Sequence, residues 1–282
     1  MADTVETLEE LLSASVSSLC KEKTGIIFSS GVDSMIIAVL AARFSRVNAY
    51  VVGYEGSPDL ACALSIGADY GFEIQPVIID DDKVDAVLPE ITKIVGEPNP
   101  VKVGVGVPMY FASKAAKEDG FDVMLCGQGA DEIFGGYNRY IESYVSGGPD
   151  KVGQMMASDI QTADEDNLDR DRAVTAHNGI ELRFPYLGAE FLEYSVGLPL
   201  DLKVREVDAS FNEFTCIDEV EGRHFVRKYA IRRLAARLDV VTQIINRPKK
   251  AAQYGSHVNK NLEKIAKRHG HKRTREYLET LM

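Results

Sequence analysis

Short apolar runs alternate with amphipathic stretches along the first half of the chain. The apolar runs predict buried strands over residues 26–30, 49–54, 73–80 and 122–127. Helical spacing of apolar residues predicts helices over residues 5–19, 35–44, 59–71, 83–95 and 110–120. Because strands of this kind alternate with helices, we predict an α/β fold: βαβ units, a parallel sheet of about five strands, and helices flanking both faces.

Helical periodicity replaces the strand-like runs after Gly136. Amphipathic patterns predict helices over residues 226–238 and 261–270. Two polar stretches, at residues 146–150 and 157–171, predict exposed connections. The second half of the chain is therefore expected to be mainly helical.

Chain length limits the number of domains. A chain of 282 residues with 45% hydrophobic content can bury one substantial core. We predict a single domain over residues 1–282. It would combine an α/β nucleotide-binding core over 1–137 with a mainly helical region over 138–282 packed on that core.

The composition argues against several classes of protein. No apolar run reaches the roughly 20 residues needed to cross a bilayer, and the acidic start, MADTVETLEELL, is unlike a secretory signal. The four cysteines are far apart and form no CxxC pair, which argues against a disulfide scaffold and a zinc ribbon. Thiols used in this way fit a reducing compartment, so we expect a cytoplasmic protein with no membrane partner.

The charge is unevenly distributed along the chain. The formal net charge is −11, yet residues 222–282 contain 16 Lys and Arg against 4 Asp and Glu. A basic terminal quarter could bind polyanions. A solvated helical face that complements the acidic body explains the same pattern, and we favour it because charge runs alone are weak evidence.

A small polar loop follows the first predicted strand. Residues 24–34 read TGIIFSSGVDS, and in open α/β sheets ligands bind beyond the carboxyl ends of the strands. Free N–H groups at a helix start suit a phosphate group, as do Ser29, Gly31 and Ser34. Asp33 would repel phosphate unless Mg²⁺ bridged the two. The loop therefore predicts a phosphate site with magnesium, although a serine-rich helix cap would look similar.

A second glycine-rich turn follows the fourth predicted strand. Residues 121–137 read FDVMLCGQGADEIFGGY, with two glycines on each side of an acidic pair. Asp131 could reach the same Mg²⁺ as Asp33, because both turns follow strands of one sheet. A tight turn before an acidic helix start is the structural alternative. The presence of both loops favours a shared site.

The two loops resemble motifs of known enzymes. Residues 29–34 resemble the SGGxDS pyrophosphate loop of the N-type ATP pyrophosphatases, with Ser30 at the first glycine of the pair. Residues 127–137 resemble the GxGADExFGGY pattern of the asparagine synthetases and their β-lactam synthetase relatives. Further similar stretches, in the family's order, lie at residues 53–60, 108–110, 179–187 and 247–255.

This resemblance implies an adenine nucleotide alpha hydrolase-like fold and a two-step reaction that uses ATP and Mg²⁺. A carboxylate attacks the α-phosphorus of ATP to give an acyl-adenylate and pyrophosphate. Ammonia or an amine then displaces AMP and forms an amide. Positioning and neutralisation of charge would be the protein's main contributions.

The resemblance also implies roles for individual residues. The residues implied to hold pyrophosphate and magnesium are Ser29, Gly31, Asp33 and Ser34, with Asp131 as the second magnesium ligand. Those implied to contact the nucleoside are Gly53, Cys126 and Gly127. Lys249 would neutralise the α-phosphate in the transition state, with Lys250 as the alternative. Glu181 and Arg183 are expected to form a structural ion pair.

Several positions depart from the family pattern. Ser30 fits the loop if its φ is negative, but its side chain narrows the loop. Gln128 replaces the usual glutamate and can only form hydrogen bonds. Asn99 and Gly104 stand where an aspartate and an arginine are expected, and Gly188 replaces an aspartate. We therefore expect that the residues that bind ATP are intact and that the pocket for the second substrate is altered. The expected acid is aspartate or a related carboxylate.

The nitrogen source is a separate question. Met1-Ala2-Asp3 leads directly into the synthetase-like part, so we expect no glutaminase domain in this chain. Nitrogen would come from ammonia, from an amine substrate or from a separate glutaminase chain.

Two other functions stay open. An RNA-modifying ATP pyrophosphatase could use the basic stretch KRHGHKRTR at residues 267–275, but it would usually need a cysteine pair, so a nucleic-acid partner is not favoured. An ATP-binding protein without synthetase activity is made conceivable by Ser30 and Gln128.

Overall fold

The computed structural model describes residues 2–163, 167–248 and 251–282. The helices are α1 (Ala2–Leu19), α2 (Val32–Ala41), α3 (Pro58–Leu64), α4 (Asp81–Val95), α5 (Pro100–Glu118), α6 (Ala130–Phe134), α7 (Asn138–Ala163), α8 (Asp169–His177), α9 (Ala189–Val196), α10 (Tyr229–Arg237), α11 (Thr242–Ile245), α12 (Ala252–Gly255), α13 (Val258–Arg268) and α14 (Thr274–Glu279). The strands are β1 (Lys23–Ile27), β2 (Arg46–Tyr54), β3 (Glu73–Ile79), β4 (Val123–Leu125), β5 (Glu181–Arg183), β6 (Val204–Val207), β7 (Asp218–Val220) and β8 (Arg223–Arg227).

A five-stranded parallel sheet forms the centre of the molecule, which confirms the predicted fold class. Its strand order is β3-β2-β1-β4-β5. Ile26 of β1 pairs with Ala49 on one side and with Leu125 on the other. The connections out of β1 and β4 therefore emerge side by side at the carboxyl edge of the sheet, which positions the two polar loops.

The fifth strand and a second sheet lie in the half of the chain expected to be mainly helical. Strand β5 pairs with β4, so the central sheet extends beyond residue 137. Strands β6, β8 and β7 form a separate antiparallel sheet. The sequence did not indicate these strands because they are short and alternate charged with apolar residues, as in VREV and RHFVR. Glu181 and Arg183 form the expected ion pair, through two hydrogen bonds of 2.8 Å.

Two helix boundaries differ clearly from the sequence-based expectation. Helix α5 begins at Pro100 rather than residue 110 and runs through Gly104, Gly106 and Pro108. Glycine and proline disfavour helix in isolation, but here the buried positions of α5 pack between α4, α8 and α13, and tertiary packing outweighs propensity. Helix α3 ends at Leu64, short of the predicted Gly71.

The two polar stretches predicted as exposed connections are helical over their described residues. Helix α7 covers residues 146–150 and is interrupted at Gly148, where φ is 78° and ψ is 178°; Pro149 follows that break. Residues 157–163 continue α7, and residues 169–171 open α8. The prediction of connections was wrong because a helix with a broad exposed face consists mainly of polar residues.

The apolar core lies on both faces of the central sheet. Helices α1, α2 and α10 pack on one face, around fully buried Leu12, Ile36 and Ile231. Helices α4, α5 and α13 pack on the other, around Leu88 and Val107. No helix among the described residues combines the length and apolar character that a bilayer span requires.

The basic C-terminal helices lie against an acidic helix. Lys264 Nζ of α13 is 3.2 Å from an Asp81 oxygen, and Arg268 forms ion pairs of 2.7 and 2.8 Å with Asp82 and Asp85. Asp85 also lies 2.7 Å from His269. Part of the basic charge is therefore neutralised within the chain, in line with a surface that complements an acidic body.

Candidate active site

The first polar loop connects β1 to α2 at the carboxyl edge of the sheet. The Ser29 N–H donates to Ser34 Oγ over 3.3 Å, and Ser34 Oγ donates to the Gly31 carbonyl over 3.1 Å. Asp33 lies in the first turn of α2. Backbone N–H groups at this helix start, together with the two serine hydroxyls, can bind an anion.

Ser30 adopts the left-handed conformation, so the condition of a negative φ, under which serine was expected to fit the loop, is not met. Its φ is 56° and its side chain is fully buried. Ser30 Oγ donates to the Asp59 carbonyl over 2.9 Å. The position thus has the backbone conformation typical of glycine, and the serine side chain joins the loop to the start of α3.

This geometry predicts different effects for two substitutions at Ser30. Ser30→Ala keeps the disfavoured φ and removes the hydrogen bond to the Asp59 carbonyl, so it should lower the free energy of unfolding by about 1–2 kcal/mol. Ser30→Gly also loses the hydrogen bond, but glycine adopts a positive φ without strain. The free energy of unfolding of this variant should therefore stay close to that of the unaltered protein. Urea unfolding measures both. Equal destabilisation by the two variants would contradict a strained φ at this position.

The second polar turn places three glycines where side chains would not fit. A Cβ on Gly127 would press on Asp33 and the Ser34 backbone. Gly129 has φ of 90° and packs against Leu187. A Cβ on Gly136 would overlap Asp131 Oδ1 and Lys228 Cε. Close packing of these glycines brings the turn against the first loop.

The carboxylates of Asp33 and Asp131 meet at one buried lysine. Lys228 Nζ lies 2.5 Å from Asp33 Oδ2 and 2.6 Å from Asp131 Oδ1, and the lysine side chain is only 2% exposed. Lys228 has φ of 56°, and its backbone N–H donates to the Phe134 carbonyl over 3.2 Å. The two turns, 98 residues apart in sequence, therefore share one charged cluster.

Sequence reasoning did not identify Lys228. It lies in VRKYAIRR, which reads as one basic amphipathic helix. In the structure β8 ends at Arg227 and α10 begins at Tyr229, with Lys228 at the turn between them. A lysine between a strand and a helix was the available signal, but its partners are 97 and 195 residues away in the sequence.

Two arginines extend the positive charge beside the first loop. Arg247 donates from Nη1 to the Ser29 carbonyl over 2.6 Å and from Nη2 to Asp59 Oδ1 over 2.7 Å. Arg232 is buried and donates from Nε to the Arg227 carbonyl over 2.9 Å. Together with Lys228 they line a cavity of about 40 Å³ that opens beside Ser29 and Gly31. Asp33 and Asp59 also line this cavity and pair with Lys228 and Arg247, so the positive charge is partly balanced. The remaining excess of positive charge and the helix start suit a phosphate group.

A larger cavity of about 240 Å³ lies beside the same cluster. One wall is apolar and includes Ile27, Val105, Met109 and Cys126, and Gly127 also lines it. Burial raises the pKa of the Cys126 thiol to about 12, which keeps the thiol neutral. An apolar wall beside a phosphate-type loop suits a nucleobase.

The polar wall of the larger cavity contains a hydrogen-bonded chain. Gln128 Nε2 donates to Asp171 Oδ2 over 2.8 Å, and Arg170 Nε donates to Asp171 Oδ1 over 2.8 Å. Asn167 Oδ1 accepts from Arg170 over 3.2 Å. Burial raises the pKa of the fully enclosed Asp171 carboxyl, although the Arg170 charge opposes that shift. Gln128 is thereby held at the cavity wall, beside Asp131 and Tyr137.

Of the three remaining residues predicted from the sequence to belong to the site, one lies within a strand and two lie outside the described residues. Gly53 lies within β2, paired with Ile78 and close to Ser57. Lys249 and Lys250 lie outside the described residues. Their described neighbours line the two cavities, Pro248 the smaller one and Ala251 and Gln253 the larger one.

The departures at Asn99 and Gly104 have structural explanations. Asn99 caps α5, where its side-chain oxygen accepts from the N–H groups of Val101 and Lys102. Gly104 is buried, and a Cβ there would contact Gln253 and Leu262. A larger side chain would push α5 away from α12 and α13, whereas Val101, Val105 and Met109 of the same helix face the larger cavity.

Magnesium is the cofactor that the family resemblance implies for the carboxylate cluster. Asp33 Oδ1 is buried without a hydrogen-bond partner among the described residues. Asp131 supplies a second carboxylate within reach of the same lysine. Two carboxylates fit Mg²⁺, which usually takes one or two protein carboxylates and completes its shell with phosphates and water. The described residues contain no group of three or more His, Cys, Asp or Glu side chains that could hold a metal ion.

Glu132, next to Asp131, is buried in an unfavourable environment. It is 6% exposed; Oε1 accepts from the Tyr137 hydroxyl over 2.5 Å, and Oε2 has no hydrogen-bond partner among the described residues. Burial raises the pKa of the Glu132 carboxyl, and the nearby Asp131 charge adds to the rise.

Glu132→Gln is therefore expected to stabilise the protein at neutral pH. A carboxyl whose folded pKa is raised gives full stability below its unfolded pKa and loses it as pH rises through the folded pKa. The glutamine stays neutral and can still accept from Tyr137. Its unfolding midpoint should exceed that of the unaltered protein near pH 7.5 and match it near pH 4. Thermal unfolding at both pH values measures this, and a gain that persists at acid pH would contradict burial of an ionisable group as the cause.

Comparison with known proteins identifies relatives of this chain. The family model described as asparagine synthase matches residues 7–147 and 142–281. "Putative asparagine synthetase (glutamine-hydrolyzing) 1" of Methanocaldococcus jannaschii is 37% identical over 276 residues, covering 92% of this chain and 51% of the relative. Asparagine synthetase (glutamine-hydrolyzing) 2 of Lotus japonicus is 29% identical over 199 residues, covering 65% and 33%.

The chain therefore spans between a third and a half of the length of these relatives. A similar match, 25% identical over 194 residues, is found with the asparagine synthetase (glutamine-hydrolyzing) of Gallus gallus. Since the family model covers nearly all of the sequence, this chain belongs to the asparagine synthase family, whose members are ATP-dependent ligases that form carbon–nitrogen bonds.

Proposed function

We propose that this chain catalyses ATP-dependent, AMP-forming amide synthesis: it adenylates a carboxylate and transfers ammonia or an amine to it. The observation that carries the proposal is the meeting of Asp33 and Asp131 at Lys228, between two glycine-rich turns of one sheet. Such an arrangement suits a bound metal–triphosphate, and the relatives are asparagine synthetases by name.

Each part of the site has a task in this proposal. Asp33 and Asp131 would hold Mg²⁺, which when bound neutralises phosphate charge. Ser29, Gly31 and Ser34 would hold the pyrophosphate portion through hydroxyl and backbone N–H groups.

The remaining groups would bind the nucleoside and balance charge. Lys228, Arg232 and Arg247 add positive charge beside the first loop, where the leaving pyrophosphate becomes more negative. The apolar wall next to Cys126 and Gly127 would take the nucleobase. Gly53 stays a proposed nucleoside contact.

Lys249 stays our choice for the cation at the α-phosphate, with Lys250 as the alternative. Support comes from the residues on either side of them, since Pro248 and Ala251 line the two cavities. The acid is proposed to be aspartate or a related carboxylate. Nitrogen would come from ammonia, an amine or a separate glutaminase chain, and the expected compartment is the cytoplasm.

Exchange of labelled pyrophosphate into ATP tests the proposal. With Mg²⁺ present, a screen of amino acids and small carboxylates should find at least one acid that supports exchange. AMP and pyrophosphate, not ADP and phosphate, should then form when ammonia is added. Asp33→Asn should abolish the exchange, because it removes a proposed metal ligand.

Two controls make the result decisive. Asp239→Asn changes an aspartate outside the two cavities and should leave exchange unchanged. Exchange with no dependence on Asp33 would contradict the magnesium assignment, and tight ATP binding without exchange for any acid would favour an ATP-binding protein without synthetase activity.

A further inference from the structure

A groove lies away from the two cavities described above, between α7 and the segment that follows α9. Its volume is about 530 Å³, within the range of about 300–1,000 Å³ typical of small-molecule sites. Its apolar lining comes from both sides and includes Met156, Ala157, Ile160, Val196, Leu198 and Leu200. This feature plays no part in the proposed ATP chemistry.

One buried cation, Lys203, also lines this groove. Lys203 is 6% exposed, and its Nζ donates to the Val196 carbonyl over 2.9 Å. An ammonium has three donors, and only this one hydrogen bond uses them among the described residues. No described carboxylate forms an ion pair with Lys203, and burial lowers the pKa of its amine to about 8.

The bond to Val196 explains only part of this arrangement. Val196 is the last residue of α9, so the lysine satisfies a carbonyl at a helix C-terminus, where a positive charge is favourable. A helix end carries about half a charge, and in the part of the chain that the structure describes the two remaining donors have no acceptor. A buried lysine of this kind is costly unless another acceptor meets it.

A carboxylate joined to a hydrocarbon chain suits a groove that combines this ammonium with an apolar lining. The carboxylate would pair with the ammonium, and the chain would cover the leucine, isoleucine and methionine side chains. A phosphate or a dianion fits less well, because Lys203 is the one basic side chain among the described lining residues and Asp150 also lines the groove. A neutral hydrocarbon would leave the lysine without a counter-ion.

We propose that the groove binds a straight-chain aliphatic monocarboxylate, with Lys203 holding the carboxylate and the α7 face holding the chain. The proposal does not depend on the proposed amide synthesis, since none of its lining residues belongs to the ATP site.

Calorimetric titration of the full chain with sodium decanoate tests this site. Decanoate should bind one to one, and 1-decanol and acetate should each bind at least about tenfold more weakly, since each lacks one half of the interaction. Lys203→Met should weaken decanoate binding about tenfold or more, whereas Lys203→Arg should retain most of it. The exposed Lys151 provides the matched control, and Lys151→Met should bind decanoate normally.

A second variant keeps the test decisive if Lys203→Met does not fold. Ala157 is exposed and lines the groove, so Ala157→Trp fills it without disturbing the core. That variant should keep its unfolding midpoint and lose decanoate binding. No decanoate binding to the unaltered chain, equal binding of decanol, or binding unaffected by both substitutions would overturn the proposal and leave Lys203 as a helix cap only.

Discussion

Lys228→Met is expected to abolish pyrophosphate exchange and to lower stability strongly. The lysine is the shared partner of Asp33 and Asp131, and all three side chains are largely buried. Removing the cation leaves two carboxylates close together in a poorly solvated site, which costs about 3–5 kcal/mol of folding free energy. Loss of positive charge beside the phosphate chain should reduce exchange by about 10²–10³-fold or more. Exchange kinetics and urea unfolding measure the two effects.

Other lysine substitutions separate this effect from a general loss of charge. Lys264→Met removes an exposed lysine paired with Asp81 and should change stability by less than about 1 kcal/mol. Lys228→Arg keeps the charge, but the planar guanidinium cannot replace a compact ammonium between two carboxylates. Lys228→Arg should therefore be more stable than Lys228→Met, but it should retain little pyrophosphate exchange. Full exchange in Lys228→Met would refute a role for this lysine in the reaction.

Gly136→Ala is expected to cause the second largest loss. The added methyl group would overlap both Asp131 Oδ1 and Lys228 Cε, so the carboxylate and the ammonium could not keep their contact. Exchange should fall by about two orders of magnitude, in the range seen when one transition-state contact is lost. ATP–pyrophosphate exchange at saturating ATP measures the loss.

Gly153→Ala is the control for the substitution itself. Gly153 lies within α7, and a methyl group there would meet no atom within 4 Å. Alanine in an open helical position should stabilise the protein by about 0.5–1 kcal/mol and leave exchange unchanged. Normal exchange in Gly136→Ala would mean that the cluster tolerates separation of Asp131 and Lys228.

The central sheet could be predicted from the sequence because parallel strands are buried on both faces. Strands such as β1 and β2 then read as nearly continuous apolar runs. Strands β5 to β8 could not be predicted in this way, since they are short and their charged residues face solvent or ion partners. Arg223 and Glu206, for example, form a pair across two of these strands. Helix α5 was predicted too short. Its first half contains Gly104, Gly106 and Pro108, which disfavour helix unless buried packing compensates.

The two loops of the candidate site could be predicted because each is local in sequence. Loop residues such as Ser29 and Asp33 lie within a few positions of one another, so their types and spacing carry the signal. Lys228 carries no such signal, because what distinguishes it is burial against partners far away in the chain. The φ of Ser30 was also missed, since its side chain donates its hydrogen bond to the carbonyl of Asp59, which is distant in the sequence.

A double-mutant cycle on MgATP binding tests the central claim most directly, namely that Asp33 and Asp131 serve one metal–triphosphate site. Binding of MgATP would be titrated for the unaltered chain, Asp33→Asn, Asp131→Asn and the double variant. We expect each single substitution to weaken binding severely and the double variant to bind no worse than the weaker single one. Independent losses that add in free energy would contradict a shared site.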